Sequence, residues 1–197
     1  MENIQTGEKT PNLTYAHLAP EVWAALGKIP RTGWVNRHVK NPESVQEHTI
    51  ALRELASSFK DLTEDEKDGL LNMLEIHDWP EVIHGDQAIV TNDEEEKRLL
   101  KATKYEKEKE ALTTICARLG EDGKKIMDLW LRFENSNDPA ASFARQLDKY
   151  QAIKKALEYE HAQGIALFKE FLDYDRKRIT HPILVKGPQE LESEASA

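Results

Sequence analysis

A histidine and an aspartate stand side by side at positions 77 and 78, and this pair is a candidate for metal chemistry. Leu70, Leu74 and His77 recur at i, i+4 and i+7, so an amphipathic helix would carry His77 at the end of its buried face. Burying an imidazole and a carboxylate is costly, and a divalent metal ion would offset that cost. The alternative is a hydrogen-bonded core histidine beside an Asp78 that caps the turn at Pro80.

Pro80 interrupts the helix just after this pair, because proline cannot donate a hydrogen bond to the preceding turn. We expect the helix to stop near Trp79 and a new short helix to run from Pro80 to Ile83. The same spot would then receive three further ionisable side chains, those of Glu81, His84 and Asp86.

A second histidine is predicted to enter the core from another helix. Ser44 and Glu47 have the spacing of a capping box, which predicts a helix that begins there and runs to about Phe59. His48 falls in the first turn, on the apolar face of that helix.

Asp148 is a carboxylate in an apolar setting. It follows Leu147 directly, near the buried seam of a helix predicted over residues 140–161. The sequence leaves two interpretations open. Asp148 either turns into the core, where it needs a partner, or pairs with Lys149 or Arg145 at the surface.

The segment 29–39 combines aromatic and basic side chains. Arg31 and Arg37 would present guanidinium groups to a phosphate, and Trp34 would present a flat ring to a base or sugar. The alternatives are ordinary ones, namely solvated surface arginines and a tryptophan that packs in the core.

Composition favours one all-α domain. Hydrophobic residues make up 39% and charged residues 32% of the 197 residues, with only 9 Gly and 8 Pro. These values suit a mostly helical, soluble chain with a sizeable core. The net charge of −9, without a basic stripe, argues against a nucleic-acid polymer as partner. A small phosphorylated ligand is still compatible, because arginines and a metal can reverse the field locally.

Cysteine usage and hydropathy predict the compartment. Cys116 is the single cysteine, so no internal disulfide is possible, and a reducing compartment is expected. We expect it to be a small buried hydrophobe beside Ile115. Residues 1–11 lack the apolar core of a signal peptide, and no window approaches the roughly 18 apolar residues of a membrane span. The prediction is a cytoplasmic protein with no membrane partner.

The remaining organisation follows from periodicity and turn residues. A flexible lead is predicted over 1–12, one domain over 13–184 and an acidic, disordered tail over 185–197. A long solvated helix with alternating charges is predicted from about 93 to 118, and we assign it no chemistry. Further helices are predicted at 13–26 with an interruption around Pro20, at about 63–77, 124–134, 140–161 and 165–177.

The four candidate donors, His48, His77, Asp78 and Asp148, are two imidazoles and two carboxylates. This mixture suits an octahedral first-row metal with open positions for water and substrate, and it does not suit a closed structural zinc site. The pattern His48…His77-Asp78…Asp148 resembles the HD-domain metal-dependent phosphohydrolases, an all-helical superfamily.

Longer segments resemble one branch of that superfamily, the 5′-deoxynucleotidases of the YfbR type and the HD domain-containing protein 2 group. The match runs from about Leu18 to Leu184 and includes, in order, residues 30–35 (PRTGWV), 42–48 (PESVQEH), 77–86 (HDWPEVIHGD) and 146–148 (QLD). The resemblance implies a helical bundle with the metal site between central helices. It also implies a homodimer that hydrolyses deoxyribonucleoside 5′-monophosphates.

The resemblance further implies a chemical role for several residues. One divalent transition metal (cobalt, manganese, iron, zinc or nickel) would be held by the four donors, with waters completing its shell. Glu81 would orient or activate the attacking water, Asp86 would contact the sugar 3′-hydroxyl, and Arg31 would meet the phosphate.

Three residues are assigned less central roles. Arg37 is a second candidate phosphate contact, and Trp34 corresponds to a ring that excludes a 2′-hydroxyl. His84 stands where a small polar residue is expected, so it either lines the pocket or lies exposed.

Two alternative functions are weighed. One is a different HD phosphohydrolase, acting on a nucleoside triphosphate, an alarmone or a cyclic nucleotide. The chain lacks the Gly-Tyr-Pro signature of the cyclic dinucleotide branch and the extra histidines of a dinuclear site. The other is a non-catalytic module that binds metal and nucleotide.

Overall fold

Helices form the regular secondary structure of the computed structural model, which describes residues 13–188, 191 and 193. The helices are α1 (Pro20–Leu26), α2 (Thr32–Val35), α3 (Val45–Ser58), α4 (Glu64–Lys67), α5 (Leu70–Ile76), α6 (Glu81–His84), α7 (Glu94–Cys116), α8 (Gly120–Asn135), α9 (Pro139–Gln163) and α10 (Phe168–Asp175), followed by a 3₁₀ turn at Arg176–Arg178. Among these described residues there is no strand, and the predicted all-α class is confirmed.

Helix α9 lies at the centre of the bundle and packs against α3, α5, α8 and α10. Its apolar face is fully buried at Phe143, Leu147 and Ile153. These side chains belong to a first core cluster that also takes in Leu52 of α3 and Leu74 of α5. Burial of such large side chains is the main favourable term that holds the central helices together.

Helix α5 contributes to two cores at once. Met73 and Leu74 belong to the first cluster, whereas Ile76 packs with Trp79 and Trp130 in a second cluster between α1, α7 and α8. His77 follows α5 directly as its C-cap residue. The two cores therefore fix the position of the His-Asp pair from both sides.

Two helix starts follow the predicted capping boxes. The Ser44 hydroxyl accepts from the backbone N–H of Glu47, whose carboxylate accepts in return from the Ser44 backbone. Thr63 and Glu66 make the same reciprocal pair at the start of α4. Each box satisfies backbone donors that have no partner inside the helix.

The helix predicted over about 63–77 is in fact two helices, because the helical conformation is interrupted at Gly69. This residue has φ of +70°, a left-handed conformation that glycine adopts without strain. A second difference concerns α8, which begins at Gly120 and not near 124. Gly123 therefore lies inside the helix. A Cβ at this position would stand 2.1 Å from the carbonyl oxygen of Cys116, so no larger residue fits there.

The first helix is shorter than predicted, since it starts at Pro20. Residues 14–16 instead donate their backbone N–H groups to the fully buried carboxylate of Glu75, at 2.6 to 2.8 Å. Glu75 also pairs with Arg53 at 2.9 Å. A buried acid in α5 thus competes with helix formation for these donors.

The predicted lead, residues 1–12, lies outside the described residues. In the predicted tail, Gly187 and Pro188 are buried and Leu191 packs into the first core cluster. The packed part of the chain therefore extends beyond residue 184, whereas residues 185, 186 and 193 are exposed. The other residues of the tail lie outside the described residues. No helix in the described part of the chain is long and apolar enough to cross a membrane.

Candidate metal centre

Helices α3 and α5 bring two imidazoles together in the core. His48, in the first turn of α3, is fully buried, and His77, at the end of α5, is 6% exposed. Their ring centroids are 5.7 Å apart. Donor atoms of His48, His77 and Asp78 all lie within 4.8 Å of one another, so three of the four predicted ligands meet at one point.

The fourth predicted ligand, Asp148, comes from α9 and lies beside His48. Its Oδ1 atom lies 3.2 Å from Nε2 of His48. Its other oxygen, Oδ2, is 2.5 Å from Nζ of Lys149. Both interpretations of Asp148 that the sequence left open therefore hold together, one for each carboxylate oxygen.

Hydrogen bonds on the far side of each ring decide which nitrogen faces the centre. His48 Nδ1 lies 2.9 Å from Oε1 of Gln151, and His77 Nδ1 lies 2.8 Å from the carbonyl oxygen of Leu74. Because both partners are acceptors, each neutral ring carries its proton on Nδ1 and turns the lone pair of Nε2 to the centre. Neither Nε2 has a hydrogen-bond partner among the described residues.

This donor set fits a divalent metal. Two buried Nε2 atoms without hydrogen bonds lie close to a carboxylate oxygen of Asp78, and Asp148 Oδ1 lies beside the Nε2 of His48. The hydrogen bonds at Nδ1 hold both rings as metal-binding histidines are usually held. Mixed nitrogen and oxygen donors suit a first-row transition metal. The alternative interpretation, in which Asp78 caps the turn at Pro80, is not what the structure shows, since α6 has no side-chain cap.

Charged neighbours keep both ligand carboxylates ionised. Burial opposes ionisation of Asp78, but His77 and Arg31 outweigh it and hold its pKa well below the ordinary value. Burial likewise opposes ionisation of Asp148, and Lys149 and His48 lower its pKa in the same way. Burial by itself would lower the pKa of His77, yet Asp78 raises it overall, so a proton competes with a metal for this ring.

Glu81 is the buried acid next to the centre. It opens α6, is 2% exposed, and its Oε2 atom has no hydrogen-bond partner among the described residues. Burial first, and then the negative charges of Asp78 and Asp86, raise its pKa well above the ordinary value. A carboxylate in this condition is a stronger base than an exposed one.

Arg31 and Asp86 flank the centre on its other side. Arg31 Nη1 lies 3.0 Å from Oδ2 of Asp78, and its Nε lies 4.0 Å from Oδ2 of Asp86. The same oxygen of Asp86 accepts from the backbone N–H of Thr32 at 2.6 Å, and the hydroxyl of Thr32 donates to the backbone carbonyl of Asp86. The loop after α6 is thereby tied to the start of α2.

The structure gives the other predicted substrate residues different surroundings. Trp34 is 2% exposed, stacks on Phe171 and donates from Nε1 to Glu43, so its ring is packed and not presented to a ligand. Arg37 pairs with Glu170 of α10. His84 is exposed. Of the residues assigned to substrate, Arg31 lies beside the candidate ligand Asp78, and Asp86 lies beside Arg31.

Three further side chains contact this region, and of these the sequence singled out only Lys149, as a surface partner of Asp148. Gln151 orients His48, Lys149 pairs with Asp148, and Lys104 of α7 lies 3.9 Å from Oε1 of Glu81. Gln151 had a usable signal, because it stands three residues after Asp148 on the same helix face. Lys104 had none, since it is one of many charges on a helix interpreted as solvated.

Comparison with known proteins gives consistent matches. The HD domain family model matches residues 24–184. The 5′-deoxynucleotidase HDDC2 of Homo sapiens is 35% identical over 175 residues, covering 87% of this chain and 81% of that protein. The 5′-deoxynucleotidase hdd1 of Schizosaccharomyces pombe is 31% identical over 168 residues, covering 82% of this chain and 80% of that protein.

Solved structures share the fold. A conserved hypothetical protein from Pyrococcus furiosus superposes with a TM-score of 0.66 at 24% identity, covering 91% of this chain and 98% of its own. The predicted metal-dependent phosphohydrolase of Magnetospirillum magnetotacticum MS-1 also gives a TM-score of 0.66, at 22% identity, covering 91% of this chain and 90% of its own. At these identities the similarity shows the fold alone.

Proposed function

The chain belongs to the HD domain family, and from this premise we propose that it is a divalent-metal-dependent 5′-deoxynucleotidase. The reaction is hydrolysis of deoxyribonucleoside 5′-monophosphates to a deoxynucleoside and phosphate. The observation that carries the proposal is the cluster of His48, His77 and Asp78, with Asp148 beside His48 and with the buried Glu81 at the start of the next helix. Relatives at 31% to 35% identity over most of the chain carry the 5′-deoxynucleotidase name.

We assign the metal to His48, His77, Asp78 and Asp148. When bound there, a divalent metal supplies Lewis acidity, which polarises a phosphoryl oxygen and makes water a competent nucleophile at neutral pH. The chain's own contribution is to hold the four donors in fixed orientations before any ligand arrives. Gln151 and the carbonyl oxygen of Leu74 do this for the two rings.

Glu81 is the proposed general base. It takes a proton from the attacking water, and its raised pKa brings its basicity closer to the working pH. Because Glu81 is 2% exposed, bulk water does not compete for its carboxylate. As the water oxygen bonds to phosphorus, the bond between phosphorus and the 5′-oxygen breaks, and its electron pair goes to that oxygen. The 5′-oxygen takes up a proton, which balances the proton given to Glu81, and leaves as the hydroxyl group of the deoxynucleoside.

Arg31 and Asp86 are the proposed substrate contacts. Arg31 has five N–H donors, and its contact with Asp78 uses one of them, so others are available for non-bridging phosphoryl oxygens. Asp86 keeps one carboxylate oxygen, Oδ1, apart from the bond that Oδ2 makes with Thr32. We assign that oxygen to the sugar 3′-hydroxyl, as the family resemblance implies.

A nucleotide panel tests the proposed function. Purified protein is stripped of metal, supplied in turn with cobalt, manganese, zinc or magnesium, and assayed for phosphate release from dAMP, dGMP, dTMP and AMP. We expect metal-dependent release from the deoxynucleotides and slower release from AMP. Absence of release from all four would refute the hydrolase, and equal rates with dAMP and AMP would refute the deoxyribose preference.

Metal identity, assembly and location are finer proposals. We infer one transition metal among cobalt, manganese, iron, zinc and nickel, and elemental analysis of protein purified without added metal identifies it. We also propose the homodimer that the family resemblance implies, which light scattering tests. A cytoplasmic location is favoured by the single, buried cysteine Cys116, since reducing compartments keep thiols free. The net charge of −9 supports a small nucleotide, and not a nucleic-acid polymer, as the partner.

A further inference from the structure

Lys104 is the basic side chain of α7 that reaches the proposed general base. Helix α7 packs on α6, the short helix that Glu81 opens. The ammonium group of Lys104 lies 3.9 Å from Oε1 of Glu81 and 3.4 Å from Oε1 of Glu108, which stands one turn later on α7. The ammonium group thus faces two carboxyl groups at the edge of the metal centre.

The same ammonium group also contacts the backbone of the loop after α6. It donates a hydrogen bond of 3.2 Å to the carbonyl oxygen of Gln87, in the loop that follows Asp86. One side chain of a long helix therefore touches both the residue assigned to proton transfer and the loop assigned to the sugar. Its neighbours keep it charged, because Glu108 and Glu81 raise its pKa against the opposing effect of burial.

We propose that Lys104 is a positioning residue of this site, which holds the Glu81 carboxylate and the Gln87 loop in register with the metal ligands. The proposal rests on the proposed function, in which Glu81 is the general base. Glu81 makes no other ion pair among the described contacts, and its Oε2 atom has no hydrogen-bond partner there, so Lys104 is the contact that restrains its orientation.

This role predicts a particular kinetic signature. A displaced base slows the chemical step, whereas a lost phosphate contact weakens binding of the substrate. In Lys104→Met we therefore expect kcat on dAMP to fall about 10- to 100-fold, as misplacement of a reacting group by about 1 Å can do. We expect KM to stay within about threefold of the wild-type value, because the substrate contacts are retained.

The test compares Lys104→Met and Lys104→Arg with a matched control, Lys107→Met. Lys107 has the same charge, lies on the same helix and is exposed. The arginine variant should restore kcat to within about fivefold of wild type, because it keeps a cation of similar reach. The control should match wild type. A raised KM with unchanged kcat, or an unchanged Lys104→Met enzyme, would overturn the proposal.

Hydrogen exchange tests the positioning role of Lys104 independently of activity. The backbone N–H of Gly85 donates to the carbonyl oxygen of Glu81, so exchange in the peptide 81–87 reports on α6 and its loop. We expect roughly five- to tenfold faster exchange there in Lys104→Met, as loss of one hydrogen bond allows, and no change in Lys107→Met. Unchanged exchange would overturn the positioning role. A wild-type protein inactive on every nucleotide would instead refute the proposed function and leave this readout decisive for Lys104.

Discussion

Replacing Gln151 by leucine tests whether the ring of His48 is held ready for a metal. Gln151 is 4% exposed, and its Oε1 accepts from Nδ1 of His48 at 2.9 Å. Its amide nitrogen lies 3.4 Å from Oε2 of Glu43, which fixes the orientation of the amide. Leucine has a similar volume but offers no acceptor, so the change removes the bond with little loss of packing.

The expected effect follows from the tautomer of the ring. Without Gln151, the proton of His48 gains by moving to Nε2, where Asp148 Oδ1 lies 3.2 Å away and accepts it. The lone pair is then on Nδ1 and faces away from the centre. A metal can bind Nε2 only after the proton has returned to Nδ1, which costs free energy. Loss of such a second-shell partner typically weakens metal affinity about 10- to 100-fold, which corresponds to about 1.4 to 2.7 kcal/mol.

Calorimetric titration of metal-free protein with cobalt or manganese, at one fixed pH, measures this affinity. The control is Gln163→Leu, near the end of the same helix, where the glutamine bonds only to the backbone of Lys40. That variant also loses amide hydrogen bonds but should bind metal as wild type does. A metal affinity of Gln151→Leu within about twofold of wild type would refute the claim that Gln151 selects the metal-binding tautomer.

Three further predictions concern catalysis, stability and pH. Glu81→Gln should lower kcat about 100- to 10,000-fold with metal content unchanged, since it removes the general base alone; retained turnover would exclude that role. Glu75→Gln should lower the free energy of unfolding by about 3 to 5 kcal/mol in urea denaturation, because Arg53 loses its buried carboxylate, and a change below about 1 kcal/mol would contradict this. Burial, partly offset by Lys104, raises the pKa of Glu108 to about 7, so its neutral form favours the folded state. The free energy of unfolding should therefore decline as pH rises from about 4.5 to 7, and the decline should be smaller in Glu108→Gln. The same pH dependence of unfolding in both proteins would refute the raised pKa of Glu108.

The placement of the candidate metal ligands was predictable because each residue follows from a local pattern. A capping box fixed the first turn of α3 and hence the face of His48, and apolar spacing fixed the end of α5 at His77. Helix periodicity put Asp148 near the seam of α9, where burial forces a carboxylate to find partners. Convergence of the four side chains was not itself visible in the sequence and came from the family resemblance.

Other features depend on contacts between distant segments, which periodicity does not encode. Trp34 was predicted to face a sugar or base, but α10 supplies Phe171 and the loop before α3 supplies Glu43, and together they enclose the ring. The segment 14–16 was predicted to be helical, but its backbone N–H groups donate to the carboxylate of Glu75 in α5. Lys104 could not be told from its charged neighbours, because its role depends on which face of α7 meets α6.

The arrangement of charges explains how an acidic chain accepts a dianionic substrate. The three carboxylates closest to the proposed reaction each have a cation: Arg31 for Asp78, Lys149 for Asp148 and Lys104 for Glu81. These ion pairs offset part of the negative charge of the three carboxylates before any metal binds. Part of the positive charge of a bound dication would then be available to a phosphate. The pairs reduce the negative charge that a phosphate meets at the site, although the whole chain carries −9. Removing one of these cations should therefore affect turnover far more than removing an exposed lysine such as Lys107, whose charge water already screens.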